Sequence, residues 1–475
     1  MIDGCELVED GCRKLVEPHA PPGRRDSIAN SLGAIHEQFN QEAALGAQAL
    51  AEHWRAWTLL HEQKALVAES LKVAQRVREG FSAYVHVGIG GSDLGPRVCH
   101  EVLDGPFYNE LTDDARGGAP RVYFAGDTFD PRGLRGLLEL LHGRGELGRT
   151  AFNIVSRSGK TPETLCAFLA IKERLGAEWM KQTLFTTAAK SGDSILFDLA
   201  VGKRDSLLGV LPVPEGVGGR FSILSPVGLL PLAVTTGKGQ DPGARVKQAL
   251  QGYAAAHRCG LENAPDTCAN IAFRIAYWLH LAEEQLGVGS LVLYDYSACR
   301  MLGDWLVQLY TESIQERGGG LNVIAARGPT SNHSLLNGII GGPKDKVVLF
   351  LRWEDLGQDL HVPTDGSIEE EVGMFMGKDM MALQQGSCEG TITDLLRQGV
   401  PALELRIPRR DAECLFYVMR VFMDAVAVKG RLQGLHIDDG SRVNYSGELT
   451  YLQHGVEGYK QAMRDHLEGR GAERA

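Results

Sequence analysis

In "NIVSRSGKTPETL", residues 153–165, Ser156, Ser158 and Thr161 crowd three hydroxyls into the turn before Pro162, with Arg157 between the first two. Strand-like apolar residues precede them, and Pro162 with Glu163 reads as a first helical turn. A turn of this kind offers hydroxyl donors, backbone N–H groups and the positive end of a helix dipole, which together suit a phosphate. N-capping is the other reading of the same Ser and Thr residues. The "GKT" triplet does not indicate ATP, because a Walker A loop needs glycine five residues before Gly159 and Ile154 stands there.

A second cluster lies upstream in "HVGIGGSDLGPR", residues 86–97. Gly88, Gly90, Gly91 and Gly95 surround Ser92 where strand-like sequence gives way to helix. Glycine weakens both element types, so four at one junction imply a sharp turn or a close approach, and a ligand is the expected neighbour. It is not a dinucleotide fingerprint, since Asp93 occupies the third glycine position.

These loops must hang from a scaffold. Residues 26–78 carry apolar residues at helical spacing. Short apolar runs then alternate with helical stretches: "AYVHVGI", "RVYFAG", "AFNIVS", "KQTLFTT" and "LLGVLPV". After a helical interval at 241–286 the pattern returns in "SLVLYD", "LNVIAA", "KVVLFLR" and "PALELRI". Such alternation predicts an α/β fold with two doubly wound parallel sheets. The expected organisation is a helical region over 1–80, a first α/β domain over 81–240 with the phosphate loops, a second over 241–440, and a C-terminal helical arm over 441–475.

With "GGRFSILSPVGLLPLA" (218–233), "GDWLVQLYTES" (303–313), "RGPTSNHS" (327–334) and "GVEGYKQ" (455–461), the two loops closely resemble the glucose-6-phosphate isomerase family. The matches run in order from 88 to 461. The resemblance implies two sugar-isomerase-type domains that open the ring of a hexose 6-phosphate and move a proton between C2 and C1 through an enediol. It implies Glu312 as the proton carrier, Arg220 as the cation beside the enediolate, and His333 and Lys460 as the ring-opening residues. Gln308, one helical turn before Glu312, and Gln453 match substrate contacts, and Gly91, Ser92, Ser156, Arg157, Ser158 and Thr161 match the substrate loops. No cofactor or metal is implied. A homodimer is, with His333 reaching the neighbouring subunit's site.

The chain departs from the family at several places. Arg157 and Lys160 hold the second and fifth positions of a loop that often reads Ser-Lys-Ser-Gly-Thr-Thr, and Ser331-Asn332 precedes His333 where Gln is usual. A dual phosphoglucose and phosphomannose isomerase, or a sugar-phosphate-sensing regulator on the same domains, are the alternative readings.

Composition narrows the partners. With 475 residues, 44% of them hydrophobic, and a net charge of -11, the chain suits a multidomain globular protein and not a non-specific nucleic-acid binder. Nine scattered cysteines without a C-x-x-C pair fit a reducing cytoplasm better than disulfides or zinc. "MIDGCELVEDG" is acidic where a secretory signal would be basic, and no apolar run approaches a membrane span. The expectation is a cytoplasmic enzyme acting on a small molecule.

Overall fold

Strand β2 (Ala83–Val87) reads Ala-Tyr-Val-His-Val, and all five residues are buried. A strand buried on both faces belongs in a parallel sheet with helices above and below it. The computed structural model, which describes residues 2–237, 241–316, 318–368, 372–435, 449–451 and 457–470, contains two such sheets.

The first sheet combines β2 with β3 (Arg121–Ala125), β4 (Thr150–Val155), β5 (Thr183–Thr187) and β6 (Gly209–Pro212) in the order β3-β2-β4-β5-β6. All its pairings are parallel. The strand order reverses between β2 and β4, so their outgoing loops diverge at the carboxyl edge and leave a crevice, the usual ligand position in doubly wound sheets. The glycine cluster follows β2 and the hydroxyl cluster follows β4.

In the second sheet β7 (Ser290–Tyr296), β8 (Asn322–Arg327), β9 (Lys346–Trp353) and β10 (Ala402–Ile407) run parallel. With β1 (Glu6–Val8) at its edge, the order is β1-β10-β9-β7-β8. Each of the nine apolar runs named from sequence forms one strand of these sheets. The exception to the sequence expectation is β1 (Glu6–Val8), which pairs antiparallel with β10 from inside the stretch read as helical. Three residues are too few to display an alternating pattern.

Helices cover both sheets. Ala412–Leu432, buried along nearly its whole length, packs against Gly243–Glu262, Ile271–Leu286 and Met301–Ile314, so one continuous apolar core joins the helices shared by the two sheets. The helical expectation for 241–286 resolves into two helices, and the last helix is Glu457–Leu467. No helix among the described residues is long and apolar enough to cross a membrane.

Candidate active site

The helix Met301–Ile314 buries Leu302, Trp305, Leu306 and Leu309, a stripe at helical spacing. Gln308 and Glu312, four residues apart, share another face, and both line a cavity of about 790 Å3. Gln308 Nε2 donates to Glu312 Oε1 at 3.1 Å. The Glu312 side chain is 23% exposed, enough to reach the cavity while its backbone stays packed.

Arg220 reaches Glu312 from the short turn Gly219–Phe221. Its Nη1 donates to Glu312 Oε2 at 3.2 Å, its Nε to Ser313 Oγ at 2.8 Å, and its Nη2 to the carbonyls of Glu312 at 3.1 Å and Thr450 at 2.6 Å. The side chain is 1% exposed. Burial lowers its pKa, and the neighbouring Glu312 carboxylate opposes that effect. A guanidinium held by several acceptors is fixed before any substrate arrives, so a charge developing beside it meets no reorganisation cost. Phe221 anchors the same turn by stacking on Trp57 at 4.9 Å and meeting the edge of Tyr451 at 5.4 Å.

The glycine loop answers to protein as well as to ligand. A Cβ on Gly91 would stand 2.2 Å from the Gly219 carbonyl carbon, and one on Gly90, at φ +58°, would stand 2.9 Å from Gln308 Nε2. The loop therefore closes on the Arg220 turn and on the helix bearing Glu312. From below it is held by His86 on β2, whose Nε2 lies 2.7 Å from the Ser92 carbonyl while its Nδ1 lies 3.1 Å from the Tyr84 hydroxyl. The carbonyl cannot donate, so Nε2 carries the proton and Nδ1 accepts from Tyr84. Burial pushes the His86 pKa down to about 4 and keeps the ring neutral.

In the hydroxyl loop, Ser156 Oγ and Thr161 Oγ1 are 2.9 Å apart. Thr161 stands at the N-cap of Pro162–Leu175, yet no side chain caps that helix. The capping reading is thus replaced by a hydroxyl pair at an open helix N-terminus. Arg157, Ser158 and Thr161 line the cavity, while Ser156 is buried behind them. Lys160 is exposed and outside the lining.

The cavity gathers Gly91, Ser92, Arg157, Ser158, Thr161, Arg220, Gln308, Glu312 and Lys460 from two sheets and the final helix. His333 is not among its lining residues; it is exposed in a short helical turn, Thr330–His333, that follows β8. Asn332 fastens that turn, its Nδ2 donating at 3.0 Å to both Tyr296 Oη and Thr391 Oγ1. Gln453 lies outside the described residues.

Among the lining residues that escaped the sequence, two aromatic ones stand out. Tyr451 comes in beside Thr450, and Trp54 comes in from the N-terminal region. The Arg157 guanidinium lies 4.2 Å from the centre of the Trp54 ring. Trp54 adopts φ +59°, the left-handed region, which is costly for a bulky side chain. No local sequence signal marks either residue, because tertiary contact alone places them. Among the described residues no group of three or more His, Cys, Asp or Glu is placed to hold a metal ion.

No protein-family model matches the chain. Among solved structures, a hypothetical protein of Thermus thermophilus superimposes with a TM-score of 0.78 at 25% identity, covering 98% of this chain and 99% of that one. A glucose-6-phosphate isomerase from Chlamydia trachomatis shares the fold, with a TM-score of 0.72 at 17% identity over 99% of this chain and 89% of that one. Among curated proteins the chain is similar to glucose-6-phosphate isomerase of Rubrobacter xylanophilus, 36% identical with 82% of this chain and 87% of that protein covered. It is 30% identical to the enzyme of that name from Carboxydothermus hydrogenoformans, covering 84% of this chain and 85% of the other. Similarity at that level over most of its length means that the chain belongs to the glucose-6-phosphate isomerase family.

Proposed function

We propose that this enzyme interconverts glucose 6-phosphate and fructose 6-phosphate, as a step of glycolysis and gluconeogenesis. The observation that carries the reading is one cavity with a hydroxyl-lined helix N-terminus on one wall and the Glu312–Arg220 pair on another. Ser158, Thr161 and Arg157 hold the phosphate, with Ser156 behind them and Gly91 and Ser92 beside the sugar. Glu312 takes the C2 proton of the open-chain aldose and returns it to C1 of the ketose. Hydrogen bonds from Gln308 and Arg220, one to each oxygen, orient its carboxylate for that transfer. Arg220 stabilises the negative charge of the enediolate between the two transfers.

Ring opening needs a donor at the ring oxygen and an acceptor at the C1 hydroxyl, and Lys460 and His333 take these roles. In this reading residues 81–240 bind phosphate, 241–440 supply Glu312, and 441–475 bring Lys460 and Gln453. The exposed position of His333, outside the cavity lining of its own chain, supports its delivery to a second subunit in a homodimer.

A coupled assay of the purified protein with each hexose 6-phosphate tests the reading. Conversion of glucose 6-phosphate and fructose 6-phosphate in both directions, undiminished by a chelator, is expected. Turnover of mannose 6-phosphate alone, or of neither substrate, would contradict it.

A further inference from the structure

Arg300 is the N-cap of the helix Met301–Ile314, and its side chain makes no cap hydrogen bond. The first amides of the helix are nevertheless satisfied from across the molecule. Glu101 Oε2 accepts from Arg300 N at 2.8 Å and from Met301 N at 2.7 Å. Glu101 lies on the helix Leu94–Asp104, which starts directly after the glycine loop of the first sheet. The carboxylate therefore meets two orphan N–H groups and the positive end of the dipole of a helix that belongs to the second sheet.

The segment of glycine loop and helix, residues 90–104, meets the helix Met301–Ile314 at two places. At one end Gly90 lies against Gln308, so closely that a Cβ would stand 2.9 Å from its amide nitrogen. At the other, Glu101 grips the helix start. Glu312 follows Met301 by 11 residues, about 16 Å of rigid helix, so fixing the first amides fixes where the Glu312 carboxylate stands relative to the phosphate loops. Misplacement of a reacting group by about 1 Å can cost on the order of a hundredfold in rate.

We infer that Glu101 is a positioning residue for the isomerisation, capping the helix that carries Glu312 from the opposite sheet so that proton carrier and phosphate loops keep one register. The inference rests on the reading under Proposed function. Glu101 touches none of the reacting atoms; it acts through the helix.

The test is a comparison of steady-state kinetics for Glu101→Ala, Glu101→Gln and Glu101→Asp with the wild type, together with amide hydrogen exchange over residues 300–304. Glu101→Ala should lower kcat about tenfold while KM for the sugar phosphate stays within about twofold, and exchange at the helix start should rise. Glu101→Gln keeps an acceptor oxygen at the same reach and should recover most of kcat. Glu101→Asp keeps the charge but is one methylene short, and should behave like the alanine variant. If Glu101→Ala fails to fold, the Gln and Asp variants decide between reach and bulk charge. Unchanged kcat in Glu101→Ala, a loss confined to KM, or a Gln variant no better than Ala or Asp would overturn the inference alone. A wild type that does not interconvert the two sugar phosphates would overturn the functional reading and this inference with it.

Discussion

Gly91 and Arg220 touch through their backbones: a methyl group on Gly91 would stand 2.4 Å from the Arg220 amide nitrogen. The three nearest atoms, Gly219 C and O and Arg220 N, are all main chain, so no side chain can swing aside. Gly91→Ala should push the Arg220 turn away from Glu312, lowering kcat/KM at least about tenfold and stability by about 1–3 kcal/mol, the usual range for overpacking. Kinetics and urea melts check both. Wild-type kinetics in Gly91→Ala would mean that the turn has slack which this contact denies it.

That contact marks the limit of what sequence alone can say. The nine parallel strands of the two sheets are legible as apolar runs, and β2 and β4 as the carriers of the two loops, because buried parallel strands have a local signature, whereas the short antiparallel β1 has none. The glycines were legible as a demand for close approach, but their partner was not. Gly219 and Arg220 lie in a distant segment, and nothing near residue 91 reports them. Glu312, Gln308, Arg220 and Lys460, far apart in the chain, line one cavity. Trp54 could not be foreseen, since a left-handed tryptophan leaves no pattern in the chain.

Trp54 supplies a prediction of its own. The guanidinium of Arg157 rests 4.2 Å from its ring centre, a contact of about 0.5–2 kcal/mol. Trp54→Ala should free Arg157 and raise KM about twofold to thirtyfold with kcat nearly unchanged. Trp54→Phe should retain part of the contact. Trp54→Gly also loses the ring but relieves the φ of +59°, so it should unfold at higher denaturant than Trp54→Ala by the equivalent of about 1 kcal/mol. A loss in kcat without a change in KM would show that Arg157 does more than bind.

His86 gives the fold a pH dependence with a definite sign. Its folded pKa is depressed by burial from 6.5 to about 4. Its neutral form therefore contributes stability fully above pH 6.5, and the contribution is lost as pH falls toward 4. For this group alone the loss is on the order of 3 kcal/mol. His86→Asn should be less stable at pH 7 because the Ser92 carbonyl loses its donor, yet its stability should fall less steeply between pH 6.5 and 4.5. Urea titrations across that range test this. Parallel pH curves for the two proteins would assign the acid sensitivity elsewhere, for instance to His257, His61 or His280, which burial also depresses.

The proposed dimer predicts complementation. If His333 serves the neighbouring subunit's cavity, Glu312→Gln and His333→Ala chains refolded together in equal amounts give about half mixed dimers, each with one intact site. About a quarter of wild-type activity should return. No recovery in demonstrated mixed dimers would place His333 in service of its own chain.

Glu312 is the proposed carrier of the proton, and isotope exchange reads that step directly. Glucose 6-phosphate incubated with the wild type in deuterium oxide should acquire deuterium at C2, and the fructose 6-phosphate formed should carry it at C1, both visible by proton NMR. Glu312→Gln keeps the size of the side chain and an acceptor oxygen for one of its two donors, Gln308 or Arg220, but removes the base. Exchange and isomerisation should then fall together by at least about a hundredfold, while a sugar-phosphate inhibitor binds within a few-fold of normal. Deuterium entering C2 at the wild-type rate in Glu312→Gln would contradict the account.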